Sequence, residues 1–149
     1  MPSSIDVNLE GGCICGAIRY RVCGEPRVVT HCHCTHCRVA HAAPYVTWAT
    51  FDTADVAFTG APPGRYSTRP KVTRTFCTSC GTQLTYHHED APEDLDLTVC
   101  SLDDPEALTP ADHVWCDRMV SWVRPGDGLP RFATRRDDAQ LIDPEGGEE

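Results

Sequence analysis

Basic charge is scarce in this chain of 149 residues: 13 Lys and Arg stand against 22 Asp and Glu, giving a formal net charge of −9. Lys71 is the only lysine. Proteins that bind nucleic acid draw much of their affinity from phosphate neutralisation and carry a basic field. The opposite field here argues against a nucleic-acid partner. Long apolar runs are also missing, and none approaches the roughly 20 residues that a helical bilayer crossing needs. The first residues, MPSSIDVNLEGG, have neither the basic start nor the apolar run of a secretory signal. Helical periodicity is scarce, and no internal repeat or linker is visible. The expectation is one soluble, cytoplasmic domain over residues 1–149, with no membrane partner. The acidic tail DPEGGEE, residues 143–149, is expected to be solvated and disordered. Nothing in the sequence reports an oligomeric state.

Cysteine, by contrast, is abundant, with ten in all. Disulfides rarely persist in a reducing compartment, so such a count points to metal or redox chemistry. Seven of the ten fall into three spaced groups: Cys13 and Cys15 in GGCICG; Cys32, Cys34 and Cys37 in HCHCTHCR; Cys77 and Cys80 in FCTSCGT. Cys23, Cys100 and Cys116 have no spaced partner and read as core residues, since free cysteine is among the most buried residue types.

Between these groups the pattern is that of short strands. AIRYRV (17–22) alternates, with Ile18, Tyr20 and Val22 on one face; residues 44–51, 55–60, 82–88, 94–99 and 113–116 read similarly. Turn signals separate them at 60–64, 103–105 and 124–128. Helical turns are expected only after Cys34 and around PEAL (105–108). The class is mainly β, in several small sheets with one or two short helical turns.

The residues flanking the cysteines sort the groups by chemistry. Cys15-Gly16 and Cys80-Gly81 each end in glycine, which supplies the φ > 0 that a tight metal-binding knuckle often needs. Cys13, Cys15, Cys77 and Cys80 together offer four thiolates, the number that closes a tetrahedral structural zinc site. Cys32, Cys34 and Cys37 offer three, and three protein ligands with one open position is the arrangement of catalytic zinc. His31, His33, His36 and His41 lie close by in sequence, each as a fourth ligand, a proton carrier or a mere neighbour.

Five blocks carry a wider resemblance: GGCICGAIRY, HCHCTHCR followed by APYVTW, RTFCTSCGTQL, LTVCSLDDPEAL and HVWCDRMVSWV. In this order, from about Gly11 to Phe132, the chain resembles the glutathione-dependent formaldehyde-activating family, which includes the centromere protein V relatives. The resemblance implies a β-tent of several small coiled sheets stapled by zinc, a fold also seen in methionine sulfoxide reductases of the B type. It implies a structural zinc on Cys13, Cys15, Cys77 and Cys80 and a second, catalytic zinc on Cys32, Cys34 and Cys37. The implied activity is that of a carbon–sulfur lyase run in the addition direction, joining glutathione and formaldehyde into S-hydroxymethylglutathione. Members usually carry small residues such as Ser-Gly where this chain has His41 and Ala42.

On this reading a small thiol adds to a small aldehyde, with His33, His36 or His41 stabilising or protonating the developing oxyanion. His36 and His41 join the three cysteines as the candidate catalytic set. Arg65, Arg69, Lys71 and Arg74 form a basic stretch suited to glutathione's carboxylates, and Arg74, beside the Cys77 knuckle, is the foremost candidate. The alternative is a non-catalytic, zinc-stapled module for protein interaction, with Trp48, Trp115 and Trp122 as possible patch residues. Sulfoxide reduction ranks last, because the surroundings of Cys100 and Cys116 do not resemble the motif that chemistry requires.

Overall fold

Period-two alternation of apolar residues is realised as strands. The computed structural model describes residues 8–136 and the backbone of 141–142; the tail at 143–149 lies outside the described residues. In chain order the elements are β1 (Asn8–Gly12), β2 (Ile18–Cys23), β3 (Val28–Cys32), α1 (Thr35–His41), β4 (Val46–Asp52), β5 (Val56–Gly60), β6 (Gly64–Tyr66), β7 (Val72–Phe76), β8 (Gln83–His88), β9 (Asp94–Thr98), β10 (Asp112–Val114), β11 (Arg131–Phe132) and β12 (Leu141–Ile142). The fold is mainly β with several sheets and one α-helix. The expected turns appear as α1 after Cys34 and as a 3-10 turn at Pro105–Ala107. No helix among the described residues is long and apolar enough to cross a membrane.

The chain forms two compact units. The first comprises Met1–Val28 and Ala49–Leu108, the second Val29–Trp48 and Thr109–Glu149. In the first unit, β2 lies between β1 and β5, antiparallel to both. Ile18, Tyr20 and Val22 point inward at 0%, 2% and 0% exposure, so the alternating face read from the sequence is the buried one. The same alternation corrects the reading of Cys23. It falls on the outward parity of β2 and is exposed, its thiol near the Asp55 carbonyl at 3.7 Å. Cys100 is exposed on a 3-10 turn, again not core.

A second ladder in this unit runs β6–β7–β8–β9, antiparallel throughout. Its register sets Arg74, Tyr86 and Asp96 side by side on neighbouring strands. Arg74 is 2% exposed, and its guanidinium lies over the Tyr86 ring, 5.0 Å from the centroid. The Thr50 hydroxyl donates to the Asp96 carboxylate at 2.6 Å.

In the second unit, β3 and β10 pair in parallel, with Asp112 opposite Thr30, His113 opposite His31 and Val114 opposite Cys32. The Thr30 hydroxyl donates to Asp112, which also accepts from the Arg136 guanidinium. β11 extends this ladder in parallel to β10, and β12 joins β11 antiparallel.

Asp96 makes the first unit pH-sensitive. Burial pushes its carboxyl up to about 6, against the lowering effect of the Thr50 hydrogen bond. A carboxyl whose native pKa lies above its unfolded value favours the fold most at acidic pH. That advantage is lost as pH rises through about 6, a span worth on the order of 3 kcal/mol. Asp96→Asn keeps an acceptor for Thr50 without the buried charge. Urea unfolding should show it more stable than wild type at neutral pH by roughly 1–3 kcal/mol. The two should converge at acidic pH; parallel stability curves would refute the assignment.

Candidate metal centre

Two knuckles build the first cysteine cluster. After Cys13 the chain turns so that Gly16 N–H donates to the Cys13 carbonyl at 3.1 Å; after Cys77, Gly81 N–H donates to the Cys77 carbonyl at 2.8 Å. Gly16 and Gly81 take φ of 81° and 84°, the left-handed conformation expected of them. Backbone donors then converge on the sulfurs. Ile18 N–H reaches Cys13 Sγ at 3.3 Å and Ser79 N–H reaches Cys77 Sγ at 3.4 Å. The sulfurs of Cys13, Cys15, Cys77 and Cys80 all lie within 4.8 Å of one another. Cys13–Cys15 and Cys15–Cys77 are 3.5 and 3.8 Å apart. Tetrahedral sulfurs on 2.3 Å bonds to a zinc-sized ion sit about 3.8 Å apart, close to these two separations. The Thr82 hydroxyl, 3.2 Å from the sulfur, and then the Thr82 backbone hold the Cys80 thiol down at about 5, ready to ligate as thiolate.

The second cluster is made by one strand end and one helix start. Cys32 closes β3, and Cys34 is the N-cap of α1, its sulfur accepting the Cys37 N–H at 3.3 Å. That capping contact turns Cys37 back toward Cys32, 3.6 Å away between sulfurs. Cys32 and Cys37 are buried and Cys34 half-buried, and their three sulfurs also lie within 4.8 Å of one another. The Cys34 and Cys37 thiols, then burial, drive the Cys32 thiol far up. Three anions cannot share this spot unaided, and a bound cation removes that obstacle. Trp48, 5% exposed, hydrogen-bonds Cys37. Both clusters could hold a metal ion.

The candidate histidines take different places. His36 is exposed on α1. His41, half-buried in the last turn of α1, stands edge-on to the Trp48 ring at 5.3 Å between centroids, and so meets the cluster through the residue that bonds Cys37. Next to it, Ala42 ends the helix at φ 50°, ψ 47°, with Ala43 N–H on the Arg38 carbonyl at 3.1 Å and Pro44 following. Glycine is the residue favoured at such a cap.

His33, fully buried, donates to or accepts from His113 (Nε2 to Nδ1, 2.9 Å), and His113 Nε2 meets Asp127 Oδ2 at 2.8 Å. Burial, then His113 and His31, lower His33 to about 4. His113 and Asp127 are polar residues of this site that sequence reasoning missed. His113 was read only as part of a strand and Asp127 only as part of a turn, because a parallel pairing across 80 residues leaves no spacing signal. Arg74, read as an anion clamp, lies in the first unit over Tyr86, while Arg65 and Arg69 of the same stretch are exposed. Cys116 is half-buried, and burial pushes its thiol up to about 11. Trp48 is core, whereas Trp122 is 70% exposed.

A mainly β fold with a four-sulfur knuckle pair and a separate three-sulfur loop defines a class, and comparison with known proteins agrees. The chain belongs to the glutathione-dependent formaldehyde-activating enzyme family, whose match spans residues 8–118. It is 31% identical over 75 residues to an uncharacterized lyase of Schizosaccharomyces pombe, covering 50% of this chain and 54% of that one. This chain therefore matches about half the length of that curated relative. A crystal structure of a Rhodobacter sphaeroides protein superposes with a TM-score of 0.57 at 22% identity, covering 70% of this chain and 99% of that one; that likeness concerns the fold.

The backbone of these turns gives a paired prediction. Gly16→Ala and Gly81→Ala meet no neighbouring atom within 4 Å, so their cost is conformational, about 1 kcal/mol each. Ala42→Gly relieves the same kind of strain and should gain about as much before the larger unfolded-state entropy of glycine is set against it. Thermal melts of metal-loaded protein should show opposite signs; a uniform sign would refute the role given to these angles.

Proposed function

We propose that this protein adds a small thiol to a small aldehyde, glutathione and formaldehyde being the foremost pair, at the loop of Cys32, Cys34 and Cys37. The carrying observation is the convergence of these three sulfurs in a chain that belongs to the family named for this activity. Cys13, Cys15, Cys77 and Cys80 hold a structural zinc in this reading, and the three-sulfur loop holds a second. When bound there, zinc supplies a positive charge that keeps an incoming thiol deprotonated at neutral pH.

The remaining work falls to the chain itself. Cys32, Cys34 and Cys37 would supply three of the four ligands that a tetrahedral zinc takes, and a substrate thiol would be the fourth. Three thiolates and a dication carry a net charge of about −1, and a fourth sulfur anion makes it about −2. The Cys37 N–H on Cys34 and the Trp48 hydrogen bond to Cys37 draw off part of that charge, which favours keeping the set intact while a thiol enters. Addition leaves negative charge on the former carbonyl oxygen, which needs a proton or a donor. His41 is set against Trp48, which hydrogen-bonds Cys37, and His36 offers a solvent-facing ring on the same helix.

The alternative of a zinc-stapled interaction module shares the first cluster and needs no open ligand position in the second. Exchange NMR of glutathione with formaldehyde separates the two. Zinc-loaded protein should raise the exchange rate above the uncatalysed rate, and Cys37→Ser should abolish the excess while leaving the fold intact by circular dichroism. No excess in protein of verified zinc content would remove this substrate pair, and loss of fold in the variant would make the second cluster structural.

A further inference from the structure

Parallel pairing of β3 with β10 places His31 beside His113, and their rings lie 4.7 Å apart between centroids. The turn before β11 brings up Asp127. One ring nitrogen from each histidine and a carboxylate oxygen of Asp127 lie within 4.8 Å of one another. We propose that His31, His113 and Asp127 form a further binding site for a divalent transition-metal ion, separate from both cysteine clusters and independent of the thiol-addition reading.

Five observations carry it. The donor set, two imidazoles and one carboxylate, is a known facial arrangement for borderline divalent ions and leaves positions open. His113 Nε2 and Asp127 Oδ2 stand 2.8 Å apart, close to the roughly 3 Å between adjacent ligands on bonds of about 2.1 Å. His31 Nδ1 bonds the Thr47 hydroxyl at 2.8 Å, which leaves Nε2 as its ligand atom in this proposal, and His113 Nδ1 bonds His33 Nε2 at 2.9 Å. Such outer partners are what orient metal-ligating histidines. Asp127 is fixed in the same way, its Oδ1 accepting the Leu129 N–H at 3.1 Å and leaving Oδ2 to face His113. Access exists as well, since the Asp127 side chain is 35% exposed and His31 is half-buried, while His113 is 1% exposed. A buried histidine hydrogen-bonded to a carboxylate accounts for the His113–Asp127 contact and strand register for His31 beside His113, while the metal site gives all three donor atoms one role.

Cobalt(II) distinguishes this site from the others. Ions on the cysteine clusters give intense thiolate-to-metal charge transfer, whereas an ion on two histidines and an aspartate adds only weak ligand-field bands. Titration of metal-free wild-type protein should therefore reach one bound equivalent beyond those that raise the charge-transfer band, counted by elemental analysis after gel filtration. His31→Asn keeps a donor for Thr47 while removing Nε2, and Asp127→Asn keeps the acceptor for Leu129 while removing the charge. Each should lose that one equivalent with the charge-transfer intensity unchanged. A wild-type protein whose every bound cobalt is accompanied by charge transfer overturns the site. So does a folded variant that keeps the full complement. The wild-type titration decides the question by itself if either variant misfolds.

Discussion

Sulfur atoms packed within 4.8 Å of one another repel as soon as more than one is ionised, and this chain gathers seven of them into two such groups. A cation resolves that repulsion, and much of the local architecture answers to it. The knuckle turns at Gly16 and Gly81 close on the Cys13 and Cys77 carbonyls, and the N–H groups of Ile18, Ser79 and Cys37 point positive dipoles at sulfur. These devices lie in turns and at the ends of elements, with Ile18 opening β2 and Cys37 in α1. The strands supply fixed points from which the loops hang, and the loops supply the chemistry.

The two clusters differ in how they are anchored. The first joins segments 62 residues apart in sequence, so closing it removes a large loop's worth of chain entropy from the unfolded state. A metal bound there contributes directly to folding. The second is local, spanning Cys32 to Cys37, and gains little from loop closure. Its surroundings are instead brought in from far along the chain by β10. A local ligand set with distant walls can change its walls without losing its ligands, whereas His41 and Ala42 are tied to that set by the short helix α1. Ala42 keeps a left-handed cap at an energetic cost that glycine would avoid.

Much of this was legible in the sequence, for reasons that can be stated. Glycine after the last cysteine of two groups announced the knuckles, because φ > 0 is written in residue type. Alternation announced the buried face of β2. The same alternation already placed Cys23 outward, and the general tendency of cysteine to be buried was the weaker guide. β3 and β7 were missed, since VVTHC and VTRTF are short and rich in polar residues; their pairing partners, not their composition, hold them extended. Arg74 is inward on β7, where its guanidinium lies over the Tyr86 ring of the neighbouring strand. The meeting of His31, His33, His113 and Asp127 was not legible, because nothing local encodes which strand pairs in parallel with which.

That long-range pairing has a temporal side. Eighty residues separate His33 from His113, and at about 5–20 residues per second a ribosome needs roughly 4–16 s to make the interval. Through that time Cys32, Cys34 and Cys37 exist without β10 beside them. The three thiols are thus on offer to a metal carrier, or to an oxidant, before their surroundings arrive, and whichever reaches them first decides the state in which the newborn chain closes.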